Sequence, residues 1–210
     1  SKNANYCELT GLYWAWKNLD ADYIGLVHYR RYFTRKEVHS VEAKKEQILT
    51  GAEWEQLLSE YPVVVADKRK YYIESNRSHY NHAHHAEGLD VAEQIIAEKY
   101  PEYSGAFTKV CNRNWAHMFN MFVMRRDLFN QYCEWMFSIL EELEKRVDIS
   151  DYDAYEARIF GFVSEILLDV WLEANNINYK EQNVSFMEPQ NWLKKGSSFV
   201  LRKFGLHSKG

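Results

Sequence analysis

Short apolar runs alternate along this chain with longer stretches whose apolar residues recur every three or four positions. Tyr6, Leu9, Leu12, Tyr13 and Trp16 fall on one helical stripe, so residues 5–16 read as a helix, with Asn5 as its cap and Glu8 three positions on. The run Tyr-Ile-Gly-Leu-Val over 23–27 has the length of a buried interior strand, and it leads directly into His28, Tyr29, Arg30 and Arg31. The charged stretch 34–47 reads as a loop. A short helix over 53–61 stops at Pro62, and Val63, Val64, Val65 and Ala66 form a second buried strand. A polar, histidine-rich segment covers 75–87. Leu89, Ala92, Ile95 and Ile96 then mark a helix ended by Pro101.

Residues 119–124 predict a third apolar strand, and 128–147 a long amphipathic helix through Leu128, Tyr132, Trp135, Met136, Ile139, Leu143 and Val147. A further helix spans about 155–174, and 177–186 form a last strand. Helices interleaved with short apolar strands predict an α/β domain. It covers residues 1–188. From 189 to 210 the composition changes to Trp, Leu and Phe interleaved with Lys and Arg. That pattern suits either an amphipathic segment on an anionic membrane surface or a terminal helix docked on its own domain.

Composition narrows the classes. The chain has 210 residues, 46% hydrophobic, with a mean hydropathy of −0.54, as expected of a soluble globular domain. No apolar stretch reaches the ~18 residues of a membrane-spanning helix. A formal charge of −4 argues against general nucleic-acid binding. Seven Trp, fifteen Tyr and eleven Phe suit sugar rings as well as cores. Cys7, Cys111 and Cys133 are odd in number and lack metal spacing, so free thiols in a cytoplasmic protein are expected. Residues 1–5 hold neither an initiator Met nor a signal peptide, and the expectation is a chain that begins partway through a larger protein.

The chemistry suggested by the residues is anionic recognition. Strand ends in α/β sheets are ligand sites, and guanidinium forks match phosphate oxygens, so Arg30 and Arg31 beside His28 point to a diphosphate. Neighbours on a strand face opposite ways, which leaves one arginine for the ligand; the other use of these arginines is pairing with Asp20, Asp22 or another structural acid. His79, His82, His84 and His85 lie close together with Tyr80 and Asn81. They could hold zinc, hydrogen-bond a sugar or phosphate, or form a polar surface loop. Glu165, flanked by apolar residues on a core helix, is a general-base candidate if burial raises its pKa; otherwise it pairs with Arg158. Phosphate-loop, dinucleotide, nucleophile-elbow and HExxH motifs are absent.

Residues 5–18 (NYCELTGLYWAWKN) followed by 23–33 (YIGLVHYRRYF) resemble the DUF4422 family of bacterial exopolysaccharide, capsule and lipopolysaccharide glycosyltransferases. Residues 78–82 (SHYNH), 120–124 (NMFVM) and 160–165 (FGFVSE) are similar to the same family. The resemblance implies a GT-A-like mixed sheet flanked by helices, lacking an N-terminal segment here. It also implies a nucleotide-sugar donor, UDP-linked galactose or galactofuranose by family likeness, and a cell-surface polysaccharide or lipid-linked acceptor.

On that likeness Glu8, Thr10, His28, Arg30 and Arg31 hold the donor and its diphosphate. His79, Tyr80, Asn81, His82 and His85 line the sugar or acceptor pocket, and Glu165 is the base. Enzymes of the GT-A type carry Asp-x-Asp at the strand end, holding Mn or Mg. Asp20-Ala21-Asp22 precedes the strand instead, and arginines take the expected place. Residues 190–210 would contact the inner face of the cytoplasmic membrane. The rival readings are a non-catalytic carbohydrate-binding domain and a histidine-cluster metal-dependent hydrolase.

Overall fold

A computed structural model gives the fold, and the structure describes residues 2–188. The basic tail expected at 189–210 lies outside the described residues. The chain opens with α1 (Asn3–Tyr6) and α2 (Leu9–Asn18), then β1 (Tyr23–Leu26) and β2 (Arg31–Phe33). Next come α3 (Val41–Glu46), α4 (Gly51–Glu60), β3 (Val63–Ala66), β4 (Lys68–Lys70), α5 (Asn76–Ala83), α6 (Ala86–Lys99) and α7 (Ser104–Asn112). It continues through β5 (Trp115–His117), β6 (Phe122–Arg125), α8 (Arg126–Arg146), α9 (Ile159–Ala174), β7 (Tyr179–Gln182) and β8 (Val184–Phe186).

The main sheet has the order β1-β6-β3-β7. β6 runs antiparallel to both β1 and β3, while β3 and β7 are parallel, so the sheet is mixed and flanked by helices, as expected. Alternation along the strands divides two apolar layers. Ile24, Val63, Val65, Phe122 and Met124 enter the large core under α8 and α9. Ala66 joins a smaller cluster with Phe33 and Met121, against which Val123 and Trp54 pack. Gly25 is needed where β1 meets β6, because a Cβ there would sit 2.8 Å from Val123 Cγ2. The amphipathic α8 is 21 residues long, roughly 32 Å, and lies across β1 and β6. Apolar on most sides, α9 runs through the middle and packs against α1, α6, α7, α8 and β5.

Several expectations are corrected. The predicted helix over 5–16 is broken at Cys7, whose φ of 49° forces the chain to turn, and Asn5 lies inside α1, donating to the Ala157 carbonyl rather than capping. The apolar run at 23–27 is an edge strand among the described residues: it pairs only with β6, and of its residues only Ile24 is buried. A short apolar run does not by itself distinguish edge from interior. The charged stretch 34–47 contains a helix, α3, capped by Ser40 Oγ accepting from Ala43 N. The third strand starts at Phe122 rather than 119, because Phe119 and Asn120 are left-handed (φ 73° and 51°). The last strand is two, split at Asn183, and β8 pairs with β2.

Candidate functional site

Two consecutive left-handed residues without glycine are costly, about 1–3 kcal/mol each, and persist only where their surroundings hold them. The Phe119–Asn120 turn is held from several directions. His28 Nε2, just past β1, donates to the Phe119 carbonyl at 2.6 Å. The Phe119 amide donates to Glu165 on α9. Asn120 Nδ2 donates to Glu8 Oε1 and to Ser164 Oγ, each at 2.9 Å. The Arg31 guanidinium, at the start of β2, lies over the Phe119 ring at 4.1 Å and over Phe186 at 5.0 Å. The turn therefore gathers Glu8, His28, Arg31 and Glu165 at the carboxyl end of β1.

Electrostatics give Glu165 its character. Burial, then the nearby Glu8 carboxylate, push its pKa up to about 7; the Phe119 amide, Arg31 and Arg69 oppose the rise. At neutral pH this carboxyl exchanges its proton readily. Burial pulls the Arg31 guanidinium below its usual range, with Glu165 and Glu8 pulling it back, and it stays cationic. Arg31 Nε and Asn120 Oδ1 are buried without hydrogen-bond partners among the described residues.

Glu165 also forms part of the wall of a small cleft with Tyr71, His79, His84 and Phe162. Its enclosed part measures about 60 Å³, room for ordered water but not for a sugar ring. His84 stacks on Phe162 at 3.8 Å, and burial, followed by His79 and Arg158, pushes its pKa down to about 4. His79 stacks on Tyr71 at 4.0 Å and is also lowered, chiefly by burial. Both imidazoles are neutral at pH 7. A larger cleft of about 280 Å³ lies elsewhere, beside Arg113 and Asp169. There the charges satisfy one another: Asp169 meets Arg113 at 2.7 Å and His117 Nδ1 at 2.5 Å, a buried structural network.

The remaining sequence-predicted residues scatter. Arg30 is exposed in the turn over 29–30 and pairs with a structural acid, Glu188, at 3.0 Å rather than with Asp20 or Asp22, while Arg31 opens β2; the turn, not strand alternation, parts the two arginines. The Thr10 hydroxyl is within 2.6 Å of the Cys7 carbonyl and ties α2 to the bend before it. Tyr80, buried, lines the same cleft, and Asn81 is exposed. His82 shares Glu74 with His79, and His85 pairs with Glu156 at 3.2 Å. Arg158 does not pair with Glu165; it donates to Cys7 Sγ at 3.0 Å. Among the described residues no three His, Cys, Asp or Glu side chains converge as metal ligands. Arg69, Tyr71 and the role of Asn120 at the turn were not singled out from sequence, whereas His84 belonged to the histidine group. Only Asn120 left a signal, as an Asn, tolerant of left-handed backbone, directly before an apolar run.

No curated protein matches this chain. Among solved structures, the apo form of the bifunctional glycosyltransferase WbbM is similar, with a TM-score of 0.81 and 30% identity. The alignment covers 88% of this chain and 37% of that one, so this chain corresponds to well under half of WbbM. The profile described as a domain of unknown function, DUF4422, matches residues 1–176. With a glycosyltransferase-like mixed α/β fold and a profile match over most of its length, the chain belongs to the DUF4422 family.

Proposed function

We propose that this domain transfers a sugar from a nucleotide-sugar donor, UDP-linked galactose or galactofuranose, to a hydroxyl of a cell-surface polysaccharide or lipid-linked acceptor. The observation that carries this reading is Glu165 on α9, held beside the Phe119–Asn120 turn and Arg31, where burial and the Glu8 carboxylate push its pKa up to about 7. As base, Glu165 takes the proton of the acceptor hydroxyl while that oxygen bonds to the anomeric carbon. The bond from that carbon to the diphosphate breaks, and the guanidinium of Arg31 meets the charge on the departing nucleoside diphosphate. Glu8, positioned by Asn120, contacts ribose or donor sugar. The sugar lies over the mouth of the cleft, and its enclosed part holds water beside Glu165.

The donor set at the end of β1 does not fit a divalent cation. Glu8 and Glu165 accept from Asn120 and the Phe119 amide beside the positive Arg31, and His28 is engaged with a carbonyl. No three potential ligands converge among the described residues, and both acids of Asp20-Ala21-Asp22 lie before the strand. Calorimetric titration of UDP into the protein, with manganese or with EDTA, tests the reading. Binding that survives EDTA supports arginine neutralisation. Binding that requires manganese restores a metal site. Glycan binding without UDP affinity replaces transfer with carbohydrate recognition.

A further inference from the structure

Beyond the cleft, β4 and the turn after it carry an unusual surface. Residues 68–70 are Lys, Arg and Lys, all exposed. Lys68 is paired with Glu181 at 2.7 Å; Arg69, whose guanidinium lies 5.4 Å from the Tyr71 ring, and Lys70 make no ion pair among the described residues. Tyr71 turns inward, its hydroxyl donating to Met118 Sδ at 3.0 Å. Tyr72 then adopts φ 60°, and Ile73 N donates to the Tyr71 carbonyl at 2.7 Å, closing a γ-turn of the strained hand. This turn leaves Tyr72 80% and Ile73 69% exposed.

A strained turn that presents two bulky apolar side chains to solvent works against folding stability, and two unpaired cations adjoin it. The nearest acid in sequence, Glu74, is mostly buried and engaged with His79 and His82, so it does not cancel that charge. Cations flanking an exposed aromatic and an aliphatic side chain match a lipid interface, with phosphates outside and hydrocarbon beneath.

We propose that residues 68–73 dock this domain on an anionic lipid surface, with Tyr72 and Ile73 entering the interface and Arg69 and Lys70 meeting lipid phosphates. Because Tyr71 also lines the cleft, docking turns the mouth beside Glu165 toward that surface.

The test is flotation of the full chain with vesicles of phosphatidylcholine alone or containing phosphatidylglycerol. Lipid binding needs no sugar nucleotide, so the outcome is independent of the transfer reading. The wild type should float with phosphatidylglycerol vesicles and lose that binding in high salt. The double variant Tyr72→Asn, Ile73→Ser keeps a residue tolerant of positive φ and should bind at least tenfold more weakly. Lys70→Glu should weaken binding severalfold. An unchanged unfolding midpoint shows that the variants are folded. Wild type and double variant floating equally, or a wild type that does not float, overturns the proposal.

Discussion

Replacing Glu165 with Gln separates the site from the fold more sharply than any other change. An ordinary glutamate in the unfolded chain loses its proton near pH 4.5, whereas Glu165 in the folded domain holds it to about 7. Between those values the folded state binds more protons than the unfolded one, so stability falls as pH rises through the window. At about 1.4 kcal/mol per pH unit, the ionised carboxylate costs the fold at most about 3 kcal/mol above pH 7, less where solvent screens it from the cleft. Glutamine keeps the acceptor for the Phe119 amide but carries no charge. Glu165→Gln should therefore match the wild type in urea unfolding at pH 4.5 and exceed it by about 2–3 kcal/mol at pH 8, while sugar transfer falls at least a hundredfold. A stability difference that does not change with pH would refute the burial argument, and retained transfer would remove Glu165 as base.

Other outcomes follow from the same contacts. Arg31→Ala should weaken UDP binding by about 1.5–3 kcal/mol in calorimetry, since hydrogen bonds to charged groups have that value, while Arg30→Ala, facing outward on Glu188, should leave it within a few tenths. Asn120→Ala removes donors to Glu8 and Ser164 and strains a φ of 51°, so it should lower unfolding free energy by about 2–3 kcal/mol; Asn120→Gly, free of the strain, should lose less.

Much of the scaffold was legible because local pattern and burial agree. The run Val63-Val64-Val65-Ala66 is a fully buried central strand, and the stripe from Leu128 to Leu143 is the inner face of α8. The apolar neighbours of Glu165 also anticipated its raised pKa, whereas Arg30 and Arg31 part because a turn precedes β2, not because strand neighbours alternate. What was missed depends on contacts between residues distant in sequence. Asn120 reaches Glu8 and Ser164 across 112 and 44 residues of sequence, and no local signal records that partnership. His79 and His82 share Glu74, and His79 and His84 line one cleft, but on α5 and the bend after it the four imidazoles turn toward Glu74, Phe162 and Glu156 rather than toward one common ligand. The break at Cys7 was hidden because a single left-handed residue barely disturbs an apolar stripe.

The parallel pairing of β3 with β7 has a consequence for how the protein is made. On the ribosome the N-terminal portion emerges first, yet Val63, Val64 and Val65 acquire their second neighbouring strand only when residues 179–182 appear. Until then a flat, wholly apolar strand edge is open to other chains, the condition under which nascent proteins aggregate. Glu165, on α9, also follows the Phe119–Asn120 turn well along the chain, so the site, like the sheet, waits for a later segment.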